Sequence, residues 1–312
     1  MTSNEFPTGI AFYAIGNTGH LSFIHALMAS IFNYNFTYDE NLPFEKSLEP
    51  RIKNMRPTDY FSPKFFYGHC TFGAHEHYRA PLEYMTMLRH PISKAISDYK
   101  YYLKQLRAGQ DTGSVPVAAL ASFDAYLDWA EAISHVGGWL ADWLVLHCYS
   151  TTDYQACKTA AAKIAYMIEK TQNTFNLVVI NEFMEEFIIL LTQRLAHNLD
   201  PAIWTRVSLS ASHVKRDEVI LTPTQQARLE ALLAVDLTVY AHFRQIADNF
   251  LNEYLRKPEV LAIYPKYKAM CWRNDPTCQE RIQNGTWRDF VPSSFAHDEA
   301  FAKEFLRWSS VT

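Results

Sequence analysis

The stretch Tyr84-Met-Thr-Met-Leu-Arg-His-Pro-Ile-Ser-Lys-Ala-Ile-Ser-Asp-Tyr99 decides the fold. Tyr84–Leu88 is a short, nearly continuous apolar run, the pattern of a strand buried on both faces. Arg89 ends the run, and Pro91 suits the first turn of a helix, where its missing N–H is no loss. Beyond it Ile92, Ile96, Tyr99 and Leu103 recur at spacings of four, three and four, which puts them on one helical face.

The same alternation extends in both directions. Gly9–Ile15 reads as a buried strand entering Gly16-Asn-Thr-Gly-His20, followed by an apolar run of helical length, Leu21–Phe32. Pro43, Pro50 and Pro57 mark an irregular loop before another short strand at Lys64–His69. Arg107–Val115 is a polar connection, and Val117–Lys170 holds two or three helices interrupted at Gly137-Gly138. Leu177–Ile180 is a further strand, and Phe183, Phe187, Leu191 and Leu195 keep helical register after it. Thr222-Pro-Thr opens a helix near Gln225, and Val239, Phe243, Ile246 and Phe250 mark a long amphipathic helix. Residues 257–312 are aromatic-rich and read as irregular, an extension packed on the domain formed by residues 1–256. There is no internal repeat. Strands alternating with helices predict an α/β protein with a central, mostly parallel sheet flanked by helices.

The 312 residues suffice for one large α/β domain, and a hydrophobic fraction of 48% supplies a sizeable core. A net charge of −4 excludes a generally nucleic-acid-binding surface and leaves room for a local basic pocket. No segment approaches the roughly 20 apolar residues of a bilayer span, and the first residues lack the pattern of a signal peptide. The expectation is a soluble, cytoplasmic chain, with the Golgi lumen as the alternative if an upstream anchor has been removed. Five cysteines form no disulfide framework; Cys271 and Cys278 either pair around a short loop or stay free. Asn35-Phe-Thr and Asn284-Gly-Thr fit the glycosylation pattern without settling the compartment.

Two segments carry chemistry by position. Gly16-Asn17-Thr18-Gly19-His20-Leu21-Ser22 lies between strand and helix, where backbone N–H groups and the helix dipole accept a phosphate. Thr18 and Ser22 add hydroxyls; the alternative is an ordinary turn with Thr18 as helix cap. Arg89 stands at the carboxyl end of a strand, where open α/β sheets place ligands, and Ser97 follows on the next helix. An arginine fork suits phosphate oxygens. The alternative there is a surface arginine and a helix serine.

The Tyr84–Tyr99 stretch resembles the 3′-phosphate-binding segment of sulfotransferases that use 3′-phosphoadenosine 5′-phosphosulfate (PAPS). Its style is that of the Golgi carbohydrate enzymes, especially the hexuronic 2-O-sulfotransferases. Tyr67-Gly-His-Cys-Thr-Phe-Gly73 resembles the Gly-His segment that holds their base. Val178-Val-Ile-Asn-Glu-Phe-Met-Glu-Glu-Phe-Ile-Ile-Leu-Leu191 resembles their strand–Glu–helix segment, and Ser212-His-Val-Lys-Arg216 their Ser-His-Leu-Arg-Lys stretch. With the N-terminal loop the resemblance spans residues 9–256 in order.

The resemblance implies a P-loop-like sulfotransferase fold and transfer of a sulfuryl group from PAPS to an acceptor hydroxyl, with a glycan favoured. It implies that Arg89 and Ser97 hold the 3′-phosphate and that Thr18, Gly19 and Ser22 cradle the phosphosulfate. His69 is then the general base, a role that imidazole, with a pKa near 6.5, fits at neutral pH. Lys215 and Arg216 either close over the nucleotide, reach an anionic acceptor, or form a solvated pair. Glu182 reads as a structural or substrate-orienting carboxylate, and Trp139, Trp143 and Phe187 as core. No metal is implied: His75 and His77 lack partners at ligand spacing.

One position departs from the family. The phosphosulfate loop there reads Pro-Lys-Thr, and here the aligned residues are Gly16-Asn17-Thr18. Losing a charge-assisted contact at developing negative charge costs about 10²–10³ in rate. Either another cation, His20 or Lys215, substitutes, or the chain binds PAPS or its desulfated product with slow or no turnover. A P-loop kinase is disfavoured, since Gly19-His20-Leu21 supplies neither the lysine nor the magnesium-binding hydroxyl.

Overall fold

The computed structural model of the chain describes residues 9–13, 64–68, 82–113, 115–133, 144, 150–196, 219–273 and 276–309. Its strands are β1 (Gly9–Tyr13), β2 (Lys64–Gly68), β3 (Leu82–Leu88) and β4 (Leu177–Ile180). All pair in parallel, in the order β2-β1-β3-β4. β1 pairs Tyr13 with Gly68 on one side and with Thr86 on the other, and β3 pairs Leu88 with Ile180. A parallel ladder lines up like ends, so the carboxyl ends of all four strands share one edge. Tyr84–Leu88 is buried at every position, as its nearly continuous apolar run predicts, and Thr86, the polar exception, is buried too. Asn176 extends the β3–β4 ladder by one step: its side-chain oxygen accepts the Tyr84 N–H, and its own N–H donates to the Tyr84 carbonyl, both at 2.8 Å.

The helix after β3, α1, spans Pro91–Arg107 with Pro91 in its first turn. Its Ile92 and Tyr99 are buried, and Ile96 and Leu103 pack beside them in a core separate from that of the sheet. That core is completed by a 3₁₀ turn (Val117–Leu120), α2 (Phe123–Ile133) and, much later, α6 (Pro223–Leu232). Between them run α3 (Thr151–Ala156), α4 (Ala160–Thr174), a 3₁₀ turn (Asn181–Phe183) and α5 (Met184–Ala196). The predicted break at Gly137-Gly138 and the side chain of Leu195 lie outside the described residues. Thr222 and Gln225 form the capping box that starts α6: the Thr222 hydroxyl accepts the Gln225 N–H at 3.2 Å, and the Gln225 side chain accepts the Thr222 N–H at 3.0 Å.

Two expectations need correction. The long helix α7 spans Ala234–Tyr254, but only half of its predicted apolar stripe is buried. Val239 and Phe243 face the core, whereas Ile246 and Phe250 are each 45% exposed. The buried line instead runs Val235, Val239, Tyr240, Phe243, Ala247 and Leu251. The sequence stripe followed large apolar residues; the packed face accepts Ala247 in close approach and leaves Phe250 stacked on Tyr254 outside.

Residues 257 onward are helical rather than irregular. They form α8 (Pro258–Leu261), α9 (Tyr264–Trp272), α10 (Pro276–Asn284), a 3₁₀ turn (Thr286–Phe290), α11 (Ser293–Ala296) and α12 (Glu299–Ser309). Their prolines sit in first turns or at a cap, where they cost no hydrogen bond. Gly285, with φ near +79°, makes the left-handed turn after α10. Tyr264, Trp272, Trp287, Phe295, Phe301 and Phe305 bury their rings in the same core as Phe12, Met85 and Phe187. Asp248 of α7 secures this region by accepting both the N–H and the hydroxyl of Ser293, at 2.7 and 2.6 Å. No disulfide joins Cys271 and Cys278, and burial pushes the Cys271 thiol well up. Among the described residues no helix is long and apolar enough to cross a membrane.

Candidate active site

Open α/β sheets bind ligands at the carboxyl edge, where successive crossovers diverge. Here the chain goes from β1 to β2 on one side and then to β3 on the other, so the divergence lies between β1 and β3. Next to that point the buried Thr86 hydroxyl donates to the Tyr13 carbonyl at 2.9 Å, tying β3 to β1. Arg89 leaves the sheet immediately after β3 and is half-buried. Ser97, also half-buried, lies six residues along α1 from Pro91, about 9 Å of helical rise.

His90 is where strand becomes helix, and its main-chain N–H has no helical partner. β4 cannot supply one, because it turns into the 3₁₀ segment after Ile180. Glu182 fills the gap. One carboxylate oxygen accepts the His90 N–H at 3.1 Å, and the other accepts the Tyr240 hydroxyl of α7 at 2.7 Å. The His90 ring meets the Tyr240 ring edge-on at 5.4 Å. Burial lowers the His90 imidazole below its ordinary 6.5; Glu182 opposes this, and the positive charges of Arg244 and Arg89 reinforce it. Arg244 itself stacks over the Phe183 ring at 5.4 Å and donates to the Asp289 carbonyl at 3.0 Å. A carboxylate, an imidazole and two arginines therefore share the neighbourhood where β3 meets α1.

Of the predicted site residues, the structure describes Arg89 and Ser97, on one strand–helix unit. Asn17, Thr18, Gly19, His20, Ser22, His69, Lys215 and Arg216 lie outside the described residues. Chain connectivity still ties the segments to the edge: His69 is the residue after β2, and Gly16 comes three residues after β1. Each of the four strands is thus followed, within three residues, by one of the segments singled out in the sequence. Among the described residues there is no cluster of three metal-ligating side chains.

A buried ionic cluster close by escaped the sequence reading. Lys268 of α9 is completely buried and contacts Glu185 at 3.0 Å and Glu186 at 2.9 Å. The Tyr264 hydroxyl donates to Glu186 and the Trp272 indole N–H to Glu185 at 3.0 Å. Burial pushes both carboxylates up; Lys268 and the Trp272 bond outweigh this at Glu185 and hold it below the usual range, whereas Glu186 remains above it. Glu182, Glu185 and Glu186 stand at i, i+3 and i+4, so one turn of chain binds His90, Tyr240 and the C-terminal helices together. The available signal was the run Phe187–Leu191: a helix start that apolar is buried, and buried glutamates need a cation.

A small parallel sheet among many helices, with an arginine just past the end of β3, is compatible with the α/β fold of sulfotransferases. The sequence model of the galactose-3-O-sulfotransferase family matches residues 77–274, and the chain belongs to that family. The resemblance to carbohydrate sulfotransferases read from the motifs holds, and the matching group within them is the galactose 3-O one. Bovine galactose-3-O-sulfotransferase 3 is 28% identical over 167 residues, 51% of this chain and 36% of the relative. The human counterpart is 27% identical over the same shares, and mouse galactose-3-O-sulfotransferase 2 is 26% identical over 52% of this chain and 39% of its own. The aligned part therefore spans well under half the length of these relatives. The matched span holds Arg89, Ser97, Glu182 and Lys268 and begins after His69.

Proposed function

We propose that this chain transfers a sulfuryl group from PAPS to a hydroxyl of a glycan, with galactose as the leading acceptor sugar. The single observation that supports this most is Arg89 at the carboxyl end of β3, beside the β1–β3 divergence, in a chain of the galactose-3-O-sulfotransferase family. The galactose preference rests on the names of the relatives alone.

In this reading Arg89 and Ser97 hold the 3′-phosphate. The loop after β1, with Thr18, Gly19, His20 and Ser22, takes the P-loop-like place around the phosphosulfate. Lys215 and Arg216 close over the nucleotide from the segment before α6. His69, one residue beyond β2, removes the acceptor proton as the sulfur–oxygen bond to the donor breaks and the new one forms. The bridging oxygen leaves with the bisphosphate, and no metal is needed to carry that charge. A glycan acceptor implies the Golgi lumen, where glycans are elaborated, rather than the cytoplasm.

Asn17 supports a second reading, a nucleotide-binding protein with weak or no turnover, because it brings no charge to the leaving oxygen. The test is transfer of labelled sulfate from PAPS to oligosaccharides ending in galactose, beside uronic-acid-containing ones, by the wild type and His69→Ala. Transfer to galactose that falls by about 10²-fold or more in the variant supports the enzyme reading. Equal transfer by both proteins removes His69 from the mechanism. Nucleotide binding with no transfer to any acceptor leaves the binding-only reading.

A further inference from the structure

The contacts of Glu182 go beyond ordinary strand-end packing. The residue whose N–H it accepts is His90, directly after Arg89, at the point where β3 gives way to α1. The register of β3 with β4 ends at Leu88–Ile180, one residue before Arg89, and Glu182 lies two residues past that last pair. A carboxylate held at its other oxygen by Tyr240 is a stiff acceptor, because both of its oxygens are committed. Tyr240 is in turn buried and fixed against the His90 ring.

We propose that Glu182 is a positioning residue for the nucleotide, setting through the His90 N–H the direction in which Arg89 leaves the sheet. This rests on the reading above that Arg89 binds the 3′-phosphate. Glu182 does not touch the ligand; a carboxylate in contact with phosphate would repel it. Its two oxygens are instead taken up within the protein, by the His90 N–H and the Tyr240 hydroxyl. The role is geometric, so it depends on an acceptor atom at Glu182 and not on its charge.

That distinction sets the experiment. Affinity for adenosine 3′,5′-bisphosphate is measured by calorimetry for wild type, Glu182→Ala, Glu182→Gln and Arg89→Ala, with thermal melting as a record of folding. Glutamine keeps a side-chain oxygen for His90 and an amide for Tyr240, so its affinity stays within about threefold of wild type or becomes tighter. Alanine leaves His90 without an acceptor and weakens binding by about tenfold or more. In steady-state transfer the alanine variant raises KM for PAPS far more than it lowers kcat. A merely structural role would lower melting temperature in both variants and leave affinity alone. Alanine with wild-type affinity while Arg89→Ala loses binding overturns the positioning role and leaves the nucleotide site standing. Arg89→Ala with unchanged affinity overturns both. Should the alanine variant not fold, Tyr240→Phe carries the test, since it frees one carboxylate oxygen without opening a cavity. A threefold or greater weakening there supports the proposal, and unchanged affinity overturns it.

Discussion

Replacing Lys268 with methionine removes the one cation that, among the described residues, pairs with Glu185 and Glu186, while nearly preserving side-chain volume. Its ammonium lies 3.0 Å from one carboxylate and 2.9 Å from the other. With an effective dielectric near 20, each contact attracts by about 5–6 kcal/mol before desolvation is subtracted. Desolvating each ion costs several kcal/mol, which is why an intact buried cluster is close to neutral overall. Removing only the cation leaves the desolvation of the carboxylates without its compensation, and losses of about 3–5 kcal/mol follow. Urea denaturation at pH 7 is the assay. The pH dependence has a definite sign. Without Lys268 both glutamates titrate in the folded state above their unfolded value, so the added cost grows as pH rises from about 4.5 and fades below it. The loss at pH 5 is therefore smaller than at pH 7. Converting Glu185 and Glu186 to leucine together with Lys268→Met recovers most of the stability, because an apolar set avoids the burial of charge. A loss under about 1 kcal/mol at pH 7, or one that does not change between pH 5 and pH 7, would refute the reasoning.

Two further outcomes follow from single residues. Burial keeps His90 neutral, with a folded pKa below its ordinary 6.5, so its contribution is complete above pH 6.5 and is lost as pH falls through the folded value. His90→Gln should flatten the decline in urea midpoint between pH 7.5 and 5; an unchanged slope would show that another group sets it. If Asn17 stands where the phosphosulfate loop needs a cation, Asn17→Lys should raise turnover by about 10²–10³ at saturating donor. No gain would mean that a different residue already supplies the charge.

The sheet was legible because it obeys local rules. Leu177–Ile180 is bounded as its apolar run suggests, and β3 and α1 fall where Tyr84–Leu88 and Pro91 put them. What could not be read were features made by residues far apart in the chain. Glu182 and Tyr240 are separated by 58 positions, and Lys268 meets its glutamates across 82 or more. No local period announces such pairs. The C-terminal helices were misread for a related reason. Their prolines and short lengths look like loop signals, and only packing of Trp287, Phe301 and Phe305 on the common core makes four-residue helices worthwhile. Of the site, Arg89 was found by its place after a strand, while Glu182 was noticed without its partner, since the donor it satisfies is a main-chain N–H.

In the proposed function, the carboxyl edge of the β2-β1-β3-β4 sheet holds a 3′-phosphorylated nucleotide through Arg89. Calorimetric titration with adenosine 3′,5′-bisphosphate, set beside adenosine 5′-phosphate, tests it most directly. The bisphosphate is expected to bind more tightly, and Arg89→Ala to remove this preference while the fold persists. Equal affinity for the two nucleotides in the wild type, or a preference that survives Arg89→Ala, would contradict it.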